Sequence, residues 1–363
     1  MLVPTFARGQ ADPALWRFVS PNATAVIGID WARIRQTPAG AMIREKWIPH
    51  GAMPGFPLRE LLDPIDRVLI SSTGGSPSPD SPDDSAVNPP TESGDSQILI
   101  AIHGHFDAAQ VRQLFTRSGA KAQSYNAFHV YRPQDKRNKD TAYVLFDAET
   151  ILYGDPPTLF ATLDRNQFTA VAPQSSPAPG SIAARAAVLD AKYEIWMIMD
   201  TSELVSNDTV AALLGGNEWA AGAQGIEAGL NLRAGLDADF ILRFSSEDFA
   251  KRVTTDWARA VNLAAKDKSV DSLARDISKK LKFNVDGSAG KISLHLNEQE
   301  LDRTAQALAA SEKAGERMAE NAARIANPAP APAPPAGPAK PSVIRIEGLD
   351  EGTREIPYPD PER

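Results

Sequence analysis

The chain has 363 residues, with 38 Lys plus Arg against 46 Asp plus Glu and a formal charge of −8. It contains no cysteine, which excludes a disulfide framework, a Cys-ligated zinc or iron–sulfur site and a thiol nucleophile. Its 42% hydrophobic and 23% charged residues are the balance of an ordinary globular chain, and no apolar run approaches the ~18 residues that a spanning helix needs.

Residues 1–13 read as the remnant of a secretory signal. Met1-Leu-Val-Pro-Thr-Phe-Ala7 is short and apolar, and Ala7 and Ala11 are small residues of the kind found at signal cleavage sites. The expected location is periplasmic or secreted, with a cytoplasmic chain as the alternative.

Residues 14–168 form the first α+β unit. Ala25-Val-Ile-Gly-Ile29 is a buried strand between Asn22 and Asp30. Trp31–Trp47 predicts two short helical pieces, because Pro38 and Gly40 interrupt it. Strands follow over Arg67–Ser71 and Gln97–Ile102, separated by an insertion at 73–97 that is Pro-rich, carries five acids and no base, and is expected to be disordered. Asp107 caps a helix over Ala108–Ser118, and Gly119 ends it. Ala127–Tyr131, Ala142–Phe146 and Thr150–Tyr153 read as strands, and Asp155-Pro-Pro157 opens a helix.

Residues 169–180 are a linker marked by Pro173, Pro177 and Pro179. The second α+β unit, 181–326, starts with a helix over Ile182–Leu189 and a strand over Tyr193–Met199. Ile226–Leu232 and Ala238–Phe244 form a hairpin around Ala234-Gly235. Ser246 caps a helix reaching Lys266, a second helix covers Val270–Leu281, and Phe283–Val285 pairs with Ile292–Leu296. Asn297 caps a long helix over Glu298–Ile325.

Ala25-Val-Ile-Gly-Ile-Asp30 echoes Ile195-Trp-Met-Ile-Met-Asp200. Each is an apolar strand that ends in Asp and leads into a helix. The fold class expected is α+β, built as two similar units, each an antiparallel sheet covered on one face by helices.

A spacer at 327–341 begins Asn327-Pro-Ala-Pro-Ala-Pro, a polyproline-type run. In the tail peptide, 342–363, Ser342-Val-Ile-Arg-Ile-Glu347 alternates as a strand, Gly348-Leu-Asp-Glu-Gly352 turns, and Thr353-Arg-Glu-Ile356 returns.

Leu62-Asp-Pro-Ile-Asp-Arg-Val-Leu69, the order of elements, and the tail phrase Val343–Ile356 resemble uncharacterised bacterial exported proteins built from repeated α+β halves. That resemblance implies export and brings no assigned activity.

Candidate chemistry is sparse. His103 and His105, two apart at a strand end, point to one face, and His129 on a neighbouring strand completes a possible metal set. Surface histidines are the plainer reading. Asp63 and Asp66 flank Pro64 with the spacing of a turn and cap, and Asp30 and Asp200 are expected to cap the helices after their strands. No phosphate loop or Gly-x-Ser-x-Gly elbow exists. No cofactor is therefore expected.

The 73–97 insertion accounts for −5 of the charge and 328–363 for −2, so the remainder is −1. A nucleic-acid footprint is not expected on so neutral a body. Trp219, in a glycine-flanked stretch, is a candidate contact residue, as are Val343, Ile344, Ile346, Leu349 and Ile356 of the tail. The function expected is a non-catalytic exported binding or scaffold protein of the cell envelope. Its protein partner in the envelope would be met by strand addition through the tethered tail or by packing of the long helix. The alternatives are a metal-dependent hydrolase using the histidines, and a small-ligand receptor with its site between the two units.

Overall fold

The computed structural model describes residues 13–44, 56–73, 97–134, 140–167, 180–200, 222–307, 343–346 and 354–357. Within it the short apolar runs assemble into one twelve-stranded antiparallel sheet. The first sequence block contributes β1 (Ala25–Asp30), β2 (Ile65–Thr73), β3 (Gln97–Gly104), β4 (Lys121–Tyr125), β5 (Phe128–Arg132), β6 (Ala142–Leu145) and β7 (Thr150–Gly154). The second contributes β8 (Ile195–Asp200), β9 (Ala223–Asn231), β10 (Leu236–Phe244), β11 (Lys282–Asp286) and β12 (Ala289–Leu296). The order across the sheet is β11-β12-β10-β9-β8-β1-β2-β3-β7-β6-β5-β4. This is the α+β class expected from the sequence, with both blocks in a single sheet.

The blocks join at β1 and β8. Ile27 lies opposite Met197, with Ala25 opposite Met199 on one side and Ile29 opposite Ile195 on the other. Backbone bonds at the two ends repeat this relation. The Asp30 N–H donates to the Glu194 carbonyl at 2.7 Å, and the Asp200 N–H donates to the Thr24 carbonyl at 2.8 Å. Outward from the join, β2 and β3 flank β1 as β9 and β10 flank β8.

Helices cover both faces of the first block. On one face, α1 (Pro13–Trp16), α6 (Pro156–Gln167) and α7 (Ile182–Lys192) bury Leu15, Leu159, Leu163 and Leu189 against Val26, Leu69, Leu99, Val144 and Leu152. On the other, α2 (Trp31–Ile34), α3 (Pro38–Met42), α4 (Leu58–Leu61) and α5 (Ala108–Arg117) bury Trp31, Ile34, Leu61 and Phe115 against Ile65, Ile102, Tyr143 and Ile151. The sequence reading expected one covered face. The difference has a plain cause: β6 and β7 are apolar at consecutive positions, so both of their sides need shielding from water. In the second block, α8 (Glu247–Ala264) packs Ala250 and Val253 onto Ile226, Leu242 and Phe244, and α9 (Ser272–Lys280) lies beside α8.

The caps follow local chemistry. The Asp107 carboxylate accepts from the Ala109 and Gln110 amides at the start of α5, and the Ser246 hydroxyl accepts from Phe249 at the start of α8. Pro38 sits at the first turn of α3, behind Thr37 as its cap. Asn297 and Glu300 exchange bonds of 3.0 and 3.1 Å at the head of the helix over 298–307. Strand β4 was not expected. Its Lys-Ala-Gln-Ser-Tyr sequence is exposed and nearly without apolar residues. It forms because Asn126 takes a left-handed φ of 51° and folds β4 back onto β5.

Residues 305–363 form a second compact unit. In it β13 (Val343–Ile346) and β14 (Arg354–Pro357) pair antiparallel as a separate two-stranded sheet, with Ile344 opposite Ile356. Among the described residues, no helix is long and apolar enough to cross a membrane.

Candidate functional site

The three histidines of the proposed metal set do not converge. His103 lies on β3, opposite Arg67 and Thr150, on the same side as Leu99 and Ala101. His105 follows the end of β3 and is largely exposed, with its Nε2 3.5 Å from the Asp66 carboxylate. His129 is exposed on β5 and points away from the face to which its neighbour Val130 contributes. Among the described residues, no group of three or more His, Asp or Glu is placed to hold a metal ion. Asp63 pairs with Arg44 at 2.8 Å just before β2 and Asp66 with Arg35 at 3.3 Å at its start, so each carboxylate is matched to a cation where the chain enters the strand.

The fold instead brings together charges that are far apart in sequence, at the join of the blocks. Asp30 is 6% exposed; its carboxylate accepts from the Arg33 amide and pairs with the Arg33 and Arg67 guanidinium groups at 3.1 and 3.4 Å. Arg67 reaches on to Asp190 of α7 at 3.1 Å, and Asp190 accepts the Trp196 indole N–H at 3.0 Å. Trp196 lies flat over Gly28, its directly opposed partner, where a Cβ would stand 2.2 Å from the indole ring. Trp16 stacks on Trp196 with ring centroids 6.4 Å apart. Trp16, Gly28, Arg67, Asp190 and Trp196 line a cleft of about 260 Å³, counting space open to solvent.

A second network anchors α7 and the start of β8 to the rest of the second block. Glu194, 1% exposed, accepts from the Leu232 amide and from Arg233, each at 2.7 Å. Glu227 of β9 is held by Arg243 at 2.6 Å and by Arg185 at 3.4 Å. Asp239 of β10 accepts from the Tyr193 hydroxyl, from Lys192 at 2.8 Å and from Ser293 at 2.7 Å, and Lys291 stands 3.0 Å away. Burial alone would raise the Asp239 carboxyl, but the donors together outweigh it and hold the group well below the usual carboxylate range. Burial, and then the bond to this carboxylate, push the Tyr193 phenol up to about 12. A phenol held neutral in this way is a donor, not a base. Each of these carboxylates is matched to a cation or an N–H, which is the pattern of a structural network.

The tail residues Val343, Ile344 and Ile346 fall in β13, and Ile356 falls in β14. Trp219 and Leu349 lie outside the described residues. A hairpin of two short strands is marginally stable alone. Its outer backbone groups form no ladder with a further strand among the described residues.

No family model matches the chain, and no curated protein does. Among solved structures it is similar to TP0453. Crystal form III of that protein superposes with a TM-score of 0.50 and 11% identity, over 80% of this chain and 97% of that one. Crystal form I gives 0.48 and 11%, over 80% and 96%. At that identity the likeness is one of fold.

Proposed function

We propose that this chain is a non-catalytic binding or scaffold protein exported to the cell envelope, and that its C-terminal hairpin is a tethered docking element for a protein partner. The observation that carries the reading is the pairing of β13 with β14 beyond the spacer at 327–341. Fifteen residues in a polyproline conformation reach about 46 Å, at ~3.1 Å per residue. A hairpin on such a tether is stabilised by adding its free edge to a partner's sheet, with main-chain bonds giving affinity and alternate side chains giving selectivity. Export rests on the apolar N-terminal residues and the resemblance given above.

The hydrolase alternative needs three histidines in one place, and the fold disperses them. The receptor alternative retains the cleft between the blocks, but it is open to solvent and its charges are matched internally, which ranks it second.

The test uses the full-length chain and a chain ending at Asn327 as baits in envelope extracts, with a synthetic 342–363 peptide as competitor. The expected result is a partner retained by the full chain, lost with the truncated one and released by the peptide. Equal recovery by both baits, insensitive to the peptide, would place binding elsewhere and refute the docking role.

A further inference from the structure

The twelve-stranded sheet ends at β4 on one side and at β11 on the other, and among the described residues neither outer edge is paired. Unpaired edges are templates for strand addition. The two edges differ in what they offer.

In an antiparallel ladder both backbone groups of a residue point to the same side, and sides alternate along the strand. The Phe244 N–H donates to the Ser288 carbonyl, so 288, 290, 292 and 294 of this strand turn their backbone toward β10. Ala289, Lys291 and Ser293 therefore turn toward β11, where they meet Asp286, Asn284 and Lys282. That leaves Phe283 and Val285 with backbone groups directed outward. The side chains alternate too: Lys282, Asn284 and Asp286 are exposed on one face, while Phe283 and Val285 are partly covered on the other.

We propose that the outer edge of β11 is a homodimer interface, in which β11 of one protomer pairs antiparallel with β11 of its partner about a two-fold axis at Asn284. In this register Phe283 meets Val285 of the partner subunit, and the reverse pair meets in the same way. These are the residues whose backbone groups point outward, so each pair exchanges both bonds. Lys282 meets Asp286 of the partner subunit at both ends, and Asn284 meets its own copy. Every position faces a compatible one, as an isologous contact requires. Sliding the strands by two residues keeps the hydrogen-bond phase but moves Lys282 away from the acid, so charge selects the register. The same operation on β4 sets Lys121 against Tyr125, whose hydroxyl is already committed to Asp164 at 2.8 Å. That edge has no opposite-charge pair.

The test is a charge swap in the full chain, read by sedimentation and by hydrogen exchange. The unaltered protein should form a concentration-dependent dimer, with the Phe283 and Val285 amides gaining protection as the dimer forms. The Lys282, Asn284 and Asp286 amides, already bonded within the sheet, should be protected at all concentrations. Lys282→Glu sets like charges opposite one another at both ends and should weaken the dimer roughly tenfold or more. Adding Asp286→Lys to Lys282→Glu restores opposite charges and should restore the dimer. Arg243, a cation that senses the charge of this acid, keeps its Glu227 partner in the double variant. Three outcomes would overturn the proposal: a monomer at every concentration, a dimer indifferent to Lys282→Glu, or Phe283 and Val285 amides protected in the monomer. The last would mean that another segment of the same chain occupies the edge.

Discussion

Tyr193 donates to Asp239, and that bond couples the packing of the second block to alkaline pH. The phenol is pushed from an ordinary value near 10 up to about 12. A folded-state value above the unfolded one favours the protonated form, so this stabilisation is complete below pH ~10 and is lost as pH rises toward 12. Denaturant titrations from pH 8 to 12 should show falling stability in the unaltered protein and a flatter alkaline limb in Tyr193→Phe. Asp239 has the opposite sign. Its carboxyl is depressed, so its contribution is present above the ordinary carboxylate range and fades only in strong acid. Neither group was legible in the sequence, because the partners are 46 residues apart. The histidines show the same limit from the other side. A separation of two places residues on one face only while the strand lasts, and β3 stops at Gly104, one residue short of His105. His129 was placed by proximity in sequence order, and strand parity turned it to the other face.

Elements were easier to read than contacts, since caps and breakers act within a few residues. Asp107, Ser246 and Asn297 each accept the amide bonds that their side chains predicted. Ser246→Ala should lower stability by ~1 kcal/mol, the usual cost of losing such a cap, measured as a shift in denaturant midpoint at unchanged slope. Pro38 divided α2 from α3 as expected. The missed strand, β4, has no periodic apolar signal, since four of its five residues are exposed. Its existence depends on a turn at Asn126, and Asn-Ala is a weaker hairpin signal than Asn-Gly. Strands β6 and β7 were legible as strands, but their unbroken apolar runs carried a further message of burial on both sides.

At the scale of the molecule, the repeated strand-Asp phrase proved more informative than any single candidate residue. The two copies of the phrase are the strands that join, and Asp30 and Asp200 stand at opposite ends of that join. Nothing in either phrase announces that they pair with each other, because pairing between blocks is a property of the whole sheet. The join predicts a fragment experiment. A chain cut within 169–179 should stay together through β1 and β8, co-eluting in native chromatography and separating only in denaturant. Fragments that part without denaturant would show that the join contributes little. The same join bears on synthesis. β1 leaves the ribosome ~170 residues before its partner β8 is complete, which at ~5–20 residues per second is an interval of roughly ten to thirty seconds. Throughout it, the edge that will lie at the centre of the finished sheet is the open edge of a half-made one. A nascent chain of this design needs shelter for that edge until its second half arrives.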